Sequence, residues 1–358
     1  MNFDTSDEQE ILQDTLRRFL DSECPPARLR EIFDGDTGHD PALWKGMLEL
    51  GIGGLAIPEE HGGAGLETID LALAAETLGH AAAPGPFLGH VLAGVAIASG
   101  GSDTQRRAWL PKLATGEITG SVALGEPGGG WLPEQWTVTD GARVSGAKSF
   151  VPYAGLADVI VVGTAGGGLS LVERGAPGLA ITPCDGVDRT RRLAGLALDG
   201  AKGDPLARGA EAAPRVRDVA LALCAADAFG AATQLLDMSV AYAGTREQFG
   251  VPIGHFQALK HQLANMAVEI EPARGLWWYA AHAIDHVPAD AARYAALAKA
   301  HVTDRAMQLA RDAVEAHGGI GFTWECDVQI WFKRALFDRA WLGTPELHRE
   351  RAAVLAGW

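Results

Sequence analysis

Arg246-Glu247-Gln248-Phe249-Gly250-Val251-Pro252-Ile253-Gly254-His255-Phe256-Gln257 is the stretch on which the fold turns. It sets an arginine, two glutamine amides and two phenylalanine rings around a hinge made by Gly250, Pro252 and Gly254. A planar guanidinium meets a diphosphate through two parallel hydrogen bonds, amides add direction, and an aromatic ring can cover a flat ligand. A Gly/Pro break of this kind also serves simply to join two helices. Its meaning therefore depends on what lies on either side.

On both sides the chain reads as helical. Apolar periodicity gives helices over 216–245, 255–285, 288–316 and about 325–340, with Pro272 expected to kink or restart the second. Upstream, residues 120–215 change character. Short alternating or apolar runs such as Trp136-Thr137-Val138-Thr139 and Asp158-Val159-Ile160-Val161-Val162, punctuated by glycine, predict strands and tight turns. Residues 1–119 return to helical spacing. Thr5-Ser6-Asp7-Glu8 reads as a capping box ahead of Ile11, Leu12, Leu16 and Phe19, and a further helix is expected from Thr68 to Gly79. The expected fold class is α+β, mostly α. It comprises an N-terminal helical domain (1–119), a central β-barrel-like domain (120–215) and a C-terminal four-helix bundle (216–358).

Composition narrows the functional classes. A chain of 358 residues with 47% hydrophobic content can bury a large core. A net charge of −15 argues against nucleic acid as a partner and means that an anionic ligand must meet local arginines. No apolar run suggests a membrane span and the N-terminus does not read as a signal peptide. Cys24, Cys184, Cys224 and Cys326 have no metal-ligand spacing, so no metal is expected. Scattered thiols suit a reducing compartment, and a cytoplasmic location is the expectation.

Five segments, in order, carry a resemblance. Ile57-Pro58-Glu59-Glu60-His61-Gly62-Gly63-Ala64-Gly65, Gly125-Glu126-Pro127-Gly128, Gly146-Ala147-Lys148-Ser149-Phe150, the Arg246 hinge and Val314-Glu315-Ala316-His317-Gly318-Gly319-Ile320-Gly321-Phe322 resemble landmarks of the flavin-dependent acyl-CoA dehydrogenases. The resemblance spans nearly the whole chain. It implies FAD as cofactor and an acyl-CoA thioester as substrate, with electron-transfer flavoprotein or a similar electron acceptor as partner. It also implies a homo- or hetero-oligomer, a dimer or tetramer, with flavin at the interface. By resemblance, Arg246, Gln248, Phe249 and Gln257 hold the FAD of a neighbouring subunit, and Gly318 and Gly319 allow its close approach. Leu124, Phe150 and Thr344 fall at the chain's own flavin positions.

The family's reaction removes an α-proton with a carboxylate while the β-hydrogen leaves as hydride, so the seat of that base is decisive. One family position precedes a Gly-Thr pair in the C-terminal loop, and here it holds Leu342. The other lies in the helix before the hinge, where an ungapped count back from Arg246 reaches Ala220. Neither is acidic, so the catalytic residue is left unassigned. Asp218 lies about 200° around the helix from Ala220, Asp227 about 10 Å along it, and Glu346 four residues past Leu342; the expectation for each is a solvated or capping acid. Flavin-side positions depart too. Gly125 stands where a hydroxyl residue is common, Trp131 where serine is common and Phe150 where tryptophan stacks. Pro152 replaces a threonine donor and Glu315 a glutamine.

Arg191-Arg192 and the Arg215/Arg217 pair read as solvated surface, Trp277-Trp278-Tyr279 as core or interface. The leading function is an FAD-dependent acyl-CoA dehydrogenase or a subunit of one, resembling the short subunits of heteromers that act on sterol side chains and other bulky acyl-CoAs. The alternatives are a catalytically silent partner that completes another chain's flavin site, an oxidase or monooxygenase of the same family, and a CoA-binding protein without flavin.

Overall fold

The structure is a computed structural model and describes residues 4–358. Six helices come first: α1 (Asp7–Glu23), α2 (Pro26–Asp34), α3 (Pro41–Glu49), α4 (Thr68–His80), α5 (Phe87–Gly100) and α6 (Asp103–Thr115). The cap of α1 is reset by one residue from the sequence expectation. Ser6 accepts from the Gln9 amide and the Gln9 side chain accepts from the Ser6 N–H, so Ser6 and Gln9 form the box.

Seven strands follow: β1 (Gly120–Ala123), β2 (Arg143–Pro152), β3 (Val159–Thr164), β4 (Gly168–Glu173), β5 (Leu179–Cys184), β6 (Leu193–Lys202) and β7 (Asp204–Pro205). They form two separate sheets rather than a closed barrel. One has the order β1-β3-β4-β7 and the other β2-β6-β5. The bridge between Gly125 and Ser149 joins them. Trp136-Thr137-Val138-Thr139 is not a strand, because its backbone is engaged elsewhere. The Thr137 N–H donates to the Glu126 carboxylate, and the Val138 carbonyl accepts from Ala165.

The third section opens with α7 (Gly209–Thr245), which begins earlier than the periodicity indicated. The hinge itself is a two-residue-per-strand hairpin of β8 (Glu247–Gln248) and β9 (Val251–Pro252). Then come α8 (Gln257–Ile270), α9 (Arg274–His286), α10 (Pro288–Ala316), α11 (Val328–Ala340) and α12 (Pro345–Leu355). Pro272 sits in the 3-10 turn Glu271–Ala273 between α8 and α9, so one rod of the bundle is broken there. Helix α10 packs against α7, α8, α9, α11 and α12.

Helix α7 is the axis of the molecule and touches both the N-terminal helices and the bundle. Among the described residues it is the one helix long and apolar enough to cross a membrane, but 83% of that apolar window is buried inside the fold. Its approach to α4 is close enough to require glycine. A Cβ at Gly79 would lie 2.0 Å from the Asp227 carbonyl oxygen, and one at Gly230 would lie 1.9 Å from that of Glu76. The two helices therefore interlock backbone to backbone. Gly230→Ala should force them apart and lower stability by ~1–3 kcal/mol, read as a shifted urea midpoint with an unchanged slope.

Candidate active site and cofactor edge

Two surfaces gather the residues singled out from the sequence, and they differ sharply in state. The first is the hinge. Phe249 and Gly250 sit at its tip with φ of 55° and 80°. Two successive left-handed residues make the turn that suits a tight hairpin, yet phenylalanine is a poor occupant of it. Its side chain is 92% exposed and meets only the edge of Phe256, with ring centroids 6.0 Å apart. The tip thus combines a strained backbone with an uncovered aromatic ring.

Around that tip, Arg246, Gln248 and Gln257 are all exposed. Arg246 caps α7 through its backbone N–H, bonded to the Tyr242 carbonyl at 2.8 Å. Its guanidinium has no ion-pair partner among the described residues. Gln257 opens α8. The glycine segment reaches the same edge because His317 stacks on Tyr242, with centroids 4.5 Å apart and planes at 23°. Burial lowers the pKa of His317, and its Nδ1 contacts the Ala313 carbonyl at 2.8 Å. Gly318 and Gly319 are exposed, and a Cβ at either would meet nothing within 4 Å. Gly318 needs glycine for its φ of 63°, but nothing within this chain requires a glycine at 319. An external group that comes close would.

The second surface is the cleft between the β section and the C-terminal loop 341–344. Its β side starts with a buried ion pair that unites two of the sequence motifs. Lys148 Nζ donates to Glu126 Oε1 at 2.5 Å, and Thr137 Oγ1 donates to Glu126 Oε2 at 2.6 Å. Burial pulls the Lys148 pKa down to about 8, although Glu126 opposes the shift. Burial pushes the Glu126 carboxyl up, but Lys148 and Thr137 outweigh it and hold it below its usual range. The pair fixes the turn after β1 onto β2. Strand β2 then bulges: Ser149 and Phe150 together oppose Gly195, and Phe150 adopts φ 58°. The bulge throws the Phe150 ring out, 42% exposed, into the cleft.

Trp131 stacks on Phe150 at 5.8 Å with planes at 25°. Across the cleft Trp341 donates from Nε1 to the Phe150 carbonyl at 3.0 Å and stacks on Phe337 at 5.6 Å. Val187, Leu193 and Leu336 complete an apolar recess of about 170 Å³. Leu124, Gly125 and Pro152 lie on the β side, and Leu124 and Pro152 are buried. Thr344 is exposed at the start of α12. The proline can donate nothing to a ring nitrogen.

Both expected base seats are apolar and closed. Ala220 is fully buried in α7 and Leu342 is 3% exposed. Leu342 keeps a left-handed backbone with φ 65°, and its carbonyl lies 2.9 Å from His348 Nε2. The candidate substitute acids are all engaged by arginines. Asp218 pairs with Arg217 at 2.8 Å and with Arg351 at 3.3 Å. Glu346 pairs with Arg339 at 2.9 Å. Asp227 is no solvated acid but is wholly buried, paired with Arg191 at 2.5 Å and with Arg334 at 2.9 Å. Burial pushes its carboxyl up, yet the two guanidiniums prevail and hold it low.

Of the basic pairs, Arg191 departs most from the expected solvated surface, while the Arg215 side chain stays 41% exposed. Arg191 is buried, Arg192 reaches the Gly35 carbonyl, and Arg215 and Arg217 are paired with Asp285 and Asp218. Missed entirely were Arg334 and Asp338. Arg334 is fully buried and bonded to Asp188, Asp227, Thr190 and the Ala83 carbonyl. Burial, then the nearby Asp227 charge, push the Asp338 carboxyl well up. A charged residue within the apolar period of α11 was the available signal. Of the aromatic run, Trp277 and Trp278 are core.

Lys148→Met should cost ~3–5 kcal/mol by leaving Glu126 buried and unpaired, whereas the Lys148→Met/Glu126→Gln pair should recover most of that in chemical denaturation. Acid should also destabilise the fold through two buried imidazoles. His348 is pulled down to about 3 and His90 to about 4, both by burial. Between those values and the unfolded value near 6.5 the unfolded chain binds protons that the folded chain refuses. Stability therefore falls as pH falls through that window. His348→Gln retains an N–H for Leu342 and should make the slope of Tm against pH shallower between pH ~6.5 and ~4.

Comparison with known proteins gives one answer. The acyl-CoA dehydrogenase N-terminal domain matches residues 6–117 and the acyl-CoA dehydrogenase C-terminal domain residues 208–354. "Acyl-CoA dehydrogenase IpdE2" of Mycolicibacterium smegmatis is 35% identical, over 98% of this chain and 99% of that protein. "Probable acyl-CoA dehydrogenase YngJ" of Bacillus subtilis is 32% identical, over 98% of each. Among solved structures, a variant of the Tcur3481-Tcur3483 steroid ACAD superposes with a TM-score of 0.91 at 32% identity, covering 98% of both chains. The ChsE4-ChsE5 complex from Mycobacterium tuberculosis superposes at 0.90 and 28% identity, covering 100% of this chain and 99% of that one. With both its helical sections and its whole length matched, this chain belongs to the acyl-CoA dehydrogenase family, as a flavin-dependent acyl-CoA dehydrogenase or a subunit of one.

Proposed function

We propose that this chain is a base-lacking subunit of an acyl-CoA dehydrogenase, and that it completes the FAD site of a neighbouring chain. The observation that carries the reading is the contrast between the two surfaces. The hinge presents Arg246, Gln248, Phe249, Gln257, Gly318 and Gly319 uncovered on one edge. The chain's own base seats hold Leu342 and Ala220, both buried.

The two surfaces fit the cofactor differently. Arg246 suits a diphosphate as a planar double donor, in a chain whose net charge of −15 offers no general attraction. Gln248 and Gln257 supply directional donors, and the open space over Gly318 and Gly319 admits close contact. FAD bound there, seated mainly on the neighbour, supplies the hydride acceptor. This chain's residues bind and orient it and shield it from water, and they move no proton. At the chain's own cleft the fit fails. Pro152 lacks a donor, and the carboxylate that lines the recess, Asp188, is bonded to Arg334.

The substrate would be an acyl-CoA thioester deprotonated by the neighbour's base, with a bulky or steroid-derived acyl group as the expected class. That expectation is supported by the steroid ACAD and the ChsE4-ChsE5 complex among the similar structures. An electron-transfer flavoprotein or similar acceptor would reoxidise the flavin, and a soluble, cytoplasmic setting suits that exchange. A self-sufficient dehydrogenase with a relocated base is disfavoured, because Asp218, Asp227 and Glu346 are each committed to arginines.

The test is flavin content. Purified alone, the chain should turn over no acyl-CoA. Coexpressed with a family member that carries the C-terminal carboxylate, it should give one flavin per two chains and activity only in the mixture. Arg246→Ala should weaken flavin retention in that assembly by about 10- to 100-fold, the loss expected for one or two charge-assisted hydrogen bonds. Full flavin occupancy and turnover by this chain alone would overturn the reading.

A further inference from the structure

We infer that the indole of Trp131 occupies this chain's own flavin seat, so that the cleft is closed by a side chain rather than merely short of donors. The inference rests on the reading above, that the chain's own face carries no flavin, and supplies its physical cause.

Three segments bound the seat: the turn after β1, the bulge of β2 and the loop 341–344. The Trp131 side chain touches all three. A Cβ built on Gly125 would lie 2.7 Å from Trp131 Cζ3 and 3.0 Å from Cη2. The Phe150 ring stacks on it with centroids 5.8 Å apart and planes at 25°. On the far side, a Cβ on Gly343 would stand 3.6 Å from Trp131 Cδ1. The indole thus spans the cleft from wall to wall. Its backbone is held as well, since the N–H groups of Trp131 and Leu132 both donate to Gln135 Oε1, at 2.9 and 3.0 Å.

A side chain at 125 would collide with the indole and also with the Ser149 carbonyl oxygen, 2.8 Å from a Cβ there, so the backbone asks for glycine at 125 and the indole packs over it. Stacking on Phe150 is the interaction a flavin ring would make there, and the indole already makes it. What remains beside it is the apolar recess of about 170 Å³. That recess is continuous with Trp131, so shrinking the side chain enlarges a cavity already apolar, the kind that stays dry and accepts a flat aromatic guest.

Lumiflavin tests this directly, because it carries the isoalloxazine ring without diphosphate or adenosine and so does not depend on Arg246. Purified Trp131→Gly should bind one lumiflavin per chain at least about tenfold more tightly than the natural protein. Titration by flavin fluorescence reads the affinity, and lumiflavin should raise the Tm of the variant but not of the natural chain. Trp131→Phe, which keeps a ring in place, should behave as the natural chain. Should Trp131→Gly fail to fold, Trp131→Leu retains apolar packing and gives the same comparison. A folded Trp131→Gly or Trp131→Leu protein with no gain in lumiflavin affinity would overturn the inference, as would tight binding by the natural chain. The two readings separate cleanly. Arg246→Ala should leave lumiflavin binding by Trp131→Gly unchanged. A plug that fails this test leaves the loss of FAD in the Arg246→Ala assembly standing, and the reverse also holds.

Discussion

Arg334 is the point through which the three sections of the chain are tied. Its guanidinium, wholly buried, donates to Asp188 and Thr190 from the β section, to Asp227 on α7 and to the Ala83 carbonyl between α4 and α5. Arg191 doubles the tie, reaching Ala83 and Asp227 from the β side. Desolvating two guanidiniums and two carboxylates is costly, and a buried cluster of this kind is weak evidence for net stability. Its value is geometric. Planar forks with fixed acceptors leave little freedom for the β sheets to slide over the bundle, so the width of the cleft between them is set by ions behind it.

That arrangement makes the cleft independent of what fills it. In a flavoprotein whose domains were held apart by the cofactor alone, loss of the flavin would let the walls collapse. Here the walls are fixed by Arg334 on the inner side and by the Trp341–Phe150 hydrogen bond at the rim. A side chain can therefore take the seat without disturbing the edge some distance away. The Tyr242–His317 stack holds that edge as a separate unit, joining the end of α7 to the glycine segment. The two surfaces are thus supported by different contacts.

The sequence made the architecture and the hinge legible, and the physical reason is local. Helix periodicity, the Pro272 break and the Arg246–Gln257 turn are written in neighbouring residues. Strand identity was less secure. Trp136–Thr139 alternates like a strand, but the Thr137 N–H bonds to Glu126, 11 positions back, and the Val138 carbonyl to the Ala165 N–H, partners that the local pattern does not show. The same distance hid the charge network. Asp227 and Arg334 are 107 positions apart, so Asp227 alone reads as a solvated acid and Arg334 gives no sign of its partner. Only spatial pairing turns an apparently solvated aspartate into a structural one. The aromatic filling of the cleft was visible as a substitution at 131, but its contact with Gly125 was not.

The backbone at Leu342 is set by its neighbours rather than by its own side chain. Leu342 holds a left-handed backbone that costs a leucine on the order of 1 kcal/mol. Nothing in a buried aliphatic side chain calls for that conformation. The loop around it does. Trp341 must reach the Phe150 carbonyl, and Thr344 must begin α12, with Gly343 at φ 103° between them. His348, neutral through burial, sits against the Leu342 carbonyl from the next helix. Each of these contacts needs the turn and none needs a carboxylate. The strained backbone is accounted for by the start of α12, which packs on α10, and by the Trp341–Phe150 tie, so it asks nothing of the side chain at 342.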